Sequence, residues 1–229
     1  MSGIREQIRG LRPVGIPTTI PDMNTTNGPI LIVEDIANIL ELLEVTLRFK
    51  GYSVVTARDG QEALEVIAKE RPALVVTDIL MPKMDGFALA HRLLADPRTR
   101  SIPVIFLSAT YVTPEDRDFA LNIGAKRFLE KPVDTEEFLL TVGEILAASP
   151  ETVDETMTER QFYLGYRDRL ESKLRHKIAQ ISRTERLLQT LPPQQKPAFE
   201  SLLNESCSQR DDVQRELNEV YQRLEELRE

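Results

Sequence analysis

Between Pro29 and Ala148, short apolar runs alternate with longer amphipathic ones. The runs 30–33, 53–57, 74–78, 104–108 and 126–129 are too short for helices and predict strands. The segments between them, 36–50, 60–70, 86–94, 114–123 and 135–147, carry apolar positions three and four apart, as helices lying on a sheet do. Gly51 stands where a helix-ending glycine stands, and Asp134 followed by Glu137 has the form of a capping box. Strand–helix units in series predict a parallel sheet with helices on both faces, an α/β fold. The runs LVVTD and VIFLS are apolar throughout, as strands covered on both sides must be.

After Pro150 the pattern changes. Residues 151–191 contain Gly165 as their one glycine and no proline, and residues 198–229 contain neither. Pro192, Pro193 and Pro197 cluster between these stretches. The pattern predicts an α-helical hairpin within 149–229, its helices near 153–191 and 198–228. In the second helix Leu203, Ser206, Arg210, Val213, Leu217, Val220, Leu224 and Leu227 follow a coiled-coil-like spacing. Leu170, Leu174, Ile178, Ile181, Leu188 and Leu191 make a broader stripe on the first. An antiparallel pair alone buries little, so the expectation is a homodimer through these helices, built as a four-helix bundle. Residues 1–28, with Pro13, Pro17 and Pro21, read as a flexible leader, leaving 29–148 as the principal domain.

Composition narrows the function. The 229 residues are 41% hydrophobic and 29% charged, enough apolar mass for a core. A net charge of -8, with -3 on 149–229, disfavours nucleic acid and anionic membranes as partners of the whole molecule. Cys207 is the one cysteine, so no internal disulfide can form, which fits the cytoplasm. No run approaches the length of a membrane helix.

The candidate chemistry collects at strand ends. Glu34 and Asp35 follow the first run, Asp78 ends the third, Ser108 ends the fourth, and Lys131-Pro132 follows the fifth. In an open parallel sheet those ends form the crevice where ligands bind. Carboxylates beside a lysine there suit a divalent cation and a phosphoryl group.

The motifs ILIVED, TDILMPKMDG, VIFLSA and RFLEKP, in that order, resemble those of response-regulator receiver domains of two-component signalling, over about half the chain. The resemblance implies a (βα)5 doubly wound sheet of flavodoxin-like strand order 2-1-3-4-5. It implies Asp78 as phosphoacceptor and Mg2+ as cofactor, held by Asp35, Asp78 and the backbone oxygen of Leu80, with Glu34 acting through a water. Lys131 and Ser108 would contact the phosphoryl group, Ala109 would leave it room, and Phe128 would be the aromatic switch. Pro82 and Gly86 would shape the turn after Asp78, Gly86 by a backbone conformation that a side chain resists, and Pro132 would follow a cis bond. Neither Leu80 nor Thr110 offers a carboxylate or amide to orient water, so a long-lived acyl phosphate is expected.

The implied partner is a sensor histidine kinase or phosphotransfer protein, and the implied role is signalling rather than enzymatic. The hairpin would carry the output to an unknown downstream protein. An alternative makes it a phosphotransfer or phosphatase-like module with His176 as carrier. Another makes the chain a DNA-binding regulator through Arg183, Arg186 and Lys196, which the acidic hairpin disfavours.

Overall fold

The structure, a computed structural model, describes residues 28–108, 114–148 and 157–228. The expected leader up to Asn27, Ala109 and Thr110 lie outside the described residues, as does the Ser108 side chain. The strands are β1 Ile30–Val33, β2 Val54–Ala57, β3 Leu74–Asp78, β4 Val104–Ser108 and β5 Arg127–Glu130. They alternate with α1 Ala37–Phe49, α2 Gly60–Lys69, α3 Gly86–Ala95, α4 Pro114–Asn122 and α5 Thr135–Ala147. Two long helices follow, α6 Glu159–Thr190 and α7 Lys196–Glu226.

All pairings are parallel, in the order β2-β1-β3-β4-β5. The period-2 alternation of strands divides the core in two. Ile30, Ile32, Leu74, Val76, Ile105 and Leu107 face one side, where Leu43 and Leu47 of α1 and Phe138 and Val142 of α5 cover them. Leu31, Val33, Val75, Val104 and Phe106 face the other, under α2, α3 and α4. Local chemistry sets the helix ends. Gly51 takes a left-handed φ of 89° beyond α1. Asp59, Asp85 and Asp134 accept backbone hydrogen bonds at the starts of α2, α3 and α5.

The hairpin departs from the expected boundaries. Thr158 and Gln161 form a reciprocal capping box, so α6 opens at Glu159 rather than near 153. Pro197 lies inside the first turn of α7, where its missing N–H breaks no helical bond. The buried stripe of α6 also begins earlier than the leucine pattern indicates, at Phe162 and Tyr166, and Ile178 is exposed.

The reason is that α6 and α7 pack on the sheet domain as well as on each other. Phe162, Tyr166, Leu170, Val213, Leu217, Val220 and Leu224 share one core with α3 and α4. Phe162 stacks on His91 of α3 at 3.7 Å between centroids. Phe119 of α4 meets Phe87 edge-on at 5.1 Å, Phe162 at 5.7 Å, and the Arg169 guanidinium at 3.9 Å from its ring centre. Gly165 is the close-approach point, since a Cβ there would stand 2.6 Å from the Phe119 ring.

Beside these rings lies a buried polar group. The Tyr166 hydroxyl donates to Glu216 of α7, while Lys173 Nζ stands 4.0 Å from Asp85 Oδ2. Burial, then repulsion from Asp85, pushes the Glu216 carboxyl up to about 7 from its ordinary value of 4.5. A carboxyl whose folded value is raised contributes stability below the unfolded value and loses it as pH rises through the folded one. Between about pH 4.5 and 7 the wild-type chain therefore loses stability at this position. Glu216→Gln, which keeps the hydrogen bond without the charge, should match wild type near pH 4.5 and exceed it above pH 7. The expected gain is on the order of 2 kcal/mol in urea unfolding. His91, lowered by burial, shifts stability in the opposite direction but is common to both proteins and cancels. An equal difference at both pH values would refute the assignment.

Candidate functional site

The sheet grows outward from β1 in both directions, to β2 on one side and to β3 on the other. The switch point therefore lies between β1 and β3, and beyond their carboxyl ends a crevice must open. Glu34 and Asp35 directly follow β1, Asp78 ends β3, and Lys131 directly follows β5. One carboxylate oxygen from each of Glu34, Asp35 and Asp78 lies within 4.8 Å of the others. Glu34 is completely buried, Asp78 nearly so, and Asp35 is exposed.

Lys131 ties the buried pair together. Its Nζ donates to Glu34 Oε2 at 2.6 Å and to Asp78 Oδ1 at 2.7 Å. The second Asp78 oxygen accepts from the Leu80 N–H at 3.0 Å, and Glu34 Oε1 accepts from the Ile36 N–H at 3.3 Å. Burial raises the Glu34 pKa against the opposing pull of Lys131. Asp35 is raised by burial and then by the Asp78 charge. Burial works to lower Lys131, but its bonds to Asp78 and Glu34 outweigh that and its pKa rises. Three carboxylates converge on one ammonium here, so negative charge is in excess. A hard cation fits that excess, because every converging ligand is an oxygen.

The loop after Asp78 is tightly held. The Gly86 N–H donates to Ile79 O at 3.0 Å, and a Cβ on Gly86 would stand 2.2 Å from the Asp78 carbonyl oxygen. Gly86 is thus required for space; its φ lies outside the left-handed region, which corrects the conformational reason expected of it. The left-handed residue is Lys83, at φ 62°, whose ammonium pairs with Asp59 at 2.6 Å. Met84 and Phe87 are core residues and Pro82 is exposed. The Lys131–Pro132 bond is cis. Phe128 is half-buried against the α2–α3–α4 core. His176 is exposed on α6. The spacing of motifs gave no sign of Lys173, an α6 residue whose charge reaches Asp35.

The response regulator receiver domain family matches residues 30–142. A putative response regulator from Chloroflexus aurantiacus has a crystal structure that superposes with a TM-score of 0.51 at 35% identity, covering 53% of this chain and 98% of that one. The chain belongs to the response-regulator receiver family. Residues 30–142 are a receiver of two-component signalling, a domain whose general role is phosphorylation on aspartate. An uncharacterized 14.6 kDa protein of Leptolyngbya boryana is 39% identical over 121 residues, which is 53% of this chain and 92% of that protein. The response regulator PleD of Caulobacter vibrioides is 43% identical over 105 residues, 46% of this chain but 23% of PleD. The chain thus spans less than a quarter of the length of PleD. No described helix is long and apolar enough to cross a membrane.

Proposed function

We propose that this protein is a response regulator in which Asp78 accepts a phosphoryl group and residues 149–229 form the output, with 29–148 as receiver and 1–28 as leader. The carrying observation is the acidic cluster at the switch point, bridged by Lys131 between Glu34 and Asp78. Asp78 is the attacking carboxylate because it ends β3 at the centre of the crevice, while Glu34 is fully buried.

Mg2+ fits the oxygen donors, with Asp35, Asp78 and the Leu80 backbone oxygen as direct ligands and Glu34 as an indirect one. When bound, it neutralises the charge that would otherwise keep a phosphate dianion from a carboxylate. Lys131 already holds an Asp78 oxygen, so a short shift of its ammonium brings it to a phosphoryl oxygen. Ser108, at the end of β4, would donate its hydroxyl to the same group.

The donor is a histidine kinase or phosphotransfer protein, and α1 is the surface that suits it. Ile36 beside the acidic cluster, then Leu42, Val45 and Phe49, are exposed, Phe49 to 87%. Leu42, Val45 and Phe49 share one helical face. For the hairpin, exposed Ile178, Leu187 and Leu202 favour self-association through its far half.

The test uses a small-molecule phosphodonor on the full chain. The expected product is a hydroxylamine-sensitive acyl phosphate whose formation requires Mg2+. A base-stable, acid-labile label lost in His176→Ala would instead favour the phosphocarrier reading. Asp35→Asn should weaken Mg2+ binding in calorimetry by about tenfold or more, roughly 1.4 kcal/mol. Unchanged affinity would remove Asp35 from the ligand set.

A further inference from the structure

We propose that Lys83 and Asp59 form a clamp on the loop that carries the Leu80 backbone oxygen, and that this clamp tilts the cation site toward Mg2+ and away from Ca2+. The inference rests on that oxygen being a ligand, as in the proposed function. The loop leaves β3 at Asp78 and returns to α3 at Gly86. Its crest is exposed at Leu80, Pro82 and Lys83, while Met81 and Met84 are buried beneath it. A carboxylate can swing about its side-chain bonds to meet an ion, but a backbone oxygen goes only where its loop goes. Two contacts tie this loop to the start of α2. The Gly60 N–H donates to the Met84 oxygen at 3.0 Å, and the Lys83 ammonium donates to Asp59 Oδ2 at 2.6 Å. Asp59 is itself buried and fixed, its Oδ1 accepting from the Gln61 and Glu62 N–H groups. The approach is close enough that a Cβ on Gly60 would stand 2.7 Å from Met84 Cγ and 2.9 Å from the Met84 oxygen.

The choice of residue at position 83 shows that the side chain matters. Among the described residues, Lys83 is the one residue other than glycine with a left-handed φ. Glycine or asparagine takes that conformation with less strain, so the backbone alone gives no reason for a lysine. The reason is its reach to Asp59. The consequence concerns ion size. Mg2+ holds oxygens at about 2.0–2.1 Å in near-ideal octahedral geometry, whereas Ca2+ holds them at about 2.3–2.6 Å in a looser shell. A clamped loop resists the outward movement that Ca2+ asks of the Leu80 oxygen. It also presents that oxygen to Mg2+ already in place, so little ordering is left to oppose binding. Released, the loop would yield to the larger ion and would have to be ordered anew by the smaller one.

The test is calorimetric titration of the full chain with Mg2+ and, separately, with Ca2+. Lys83→Met removes the ammonium and keeps most of the stem, and Asp59→Asn keeps the oxygen that caps α2 while removing the charge. Each should lower the ratio of Mg2+ to Ca2+ affinity by roughly threefold or more, less than outer-shell changes usually cost because the lysine is exposed. Lys83→Arg, which can still pair with Asp59, should hold the ratio near wild type. A lost charge acts alike on two divalent cations, so the ratio reads the loop and not the electrostatics. Without any cation, hydrogen exchange over residues 79–86 should rise in Lys83→Met and stay at the wild-type rate in Lys83→Arg. An unchanged ratio or unchanged exchange in Lys83→Met overturns the clamp and leaves the cation site standing. A ratio that falls as far in Lys83→Arg overturns it too. A wild-type chain that binds neither ion overturns the proposed cation site, and the clamp with it.

Discussion

An Asp78→Asn variant is expected to take up no phosphoryl label from a small-molecule donor, while remaining at least as stable as the parent. The amide is nearly isosteric and its oxygen can still accept from Lys131, so the bridge at 2.7 Å survives in form, while its NH2 no longer accepts from the Leu80 N–H. What it lacks is a nucleophilic carboxylate oxygen, and an amide oxygen does not replace it. Stability should hold because the substitution removes a like charge next to Glu34 and Asp35, both of which are raised partly by Asp78. Phosphate-affinity electrophoresis and thermal unfolding measure the two arms. Wild-type labelling in the variant would move the acceptor to another residue, with Asp35 the nearest candidate.

Lys131→Ala should produce the largest loss of stability of any substitution at the site. Glu34 has no exposed surface, and its Oε2 is held by the lysine at 2.6 Å. Removing one partner of a buried pair leaves an uncompensated charge, which costs about 3–5 kcal/mol. The loss should shrink as pH falls, because the Glu34 carboxyl, already raised by burial, then takes a proton and becomes neutral. The double variant Lys131→Ala with Glu34→Gln should recover a large part of the stability near neutral pH. Urea midpoints of the four proteins form the cycle, and a coupling below roughly 0.5 kcal/mol would mean that the bridge contributes little.

The receiver was legible in the chain because its determinants are local or periodic. Alternating apolar residues such as Ile30 and Ile32 against Leu31 and Val33 assign both sheet faces. Chemical residues end strands or follow directly on them, so Glu34, Asp78 and Lys131 collect at one edge of the sheet in the sequence pattern itself. The docking of the hairpin was not legible. Its contacts join residues such as Asp85 and Lys173, or Phe119 and Gly165, which lie far apart in sequence and share no period. Phe162 and Tyr166 also precede the leucine stripe, and a helix that packs on two neighbours at once blurs the single-face pattern expected of a hairpin. Gly86 taught the same lesson on a smaller scale. A glycine in a turn suggests unusual backbone angles, whereas its reason here is a carbonyl oxygen 2.2 Å from where a Cβ would stand.

The hairpin sits on the α3–α4 side, while the exposed stripe Leu42, Val45 and Phe49 lies on α1, across the sheet. A donor docked on α1 would therefore leave the hairpin's seat on the receiver untouched. On the proposed reading, substitutions along α1 would retune donor recognition without touching the residues on which the hairpin packs. A lineage that duplicates this gene could thus change its donor and its hairpin packing by separate, independent steps.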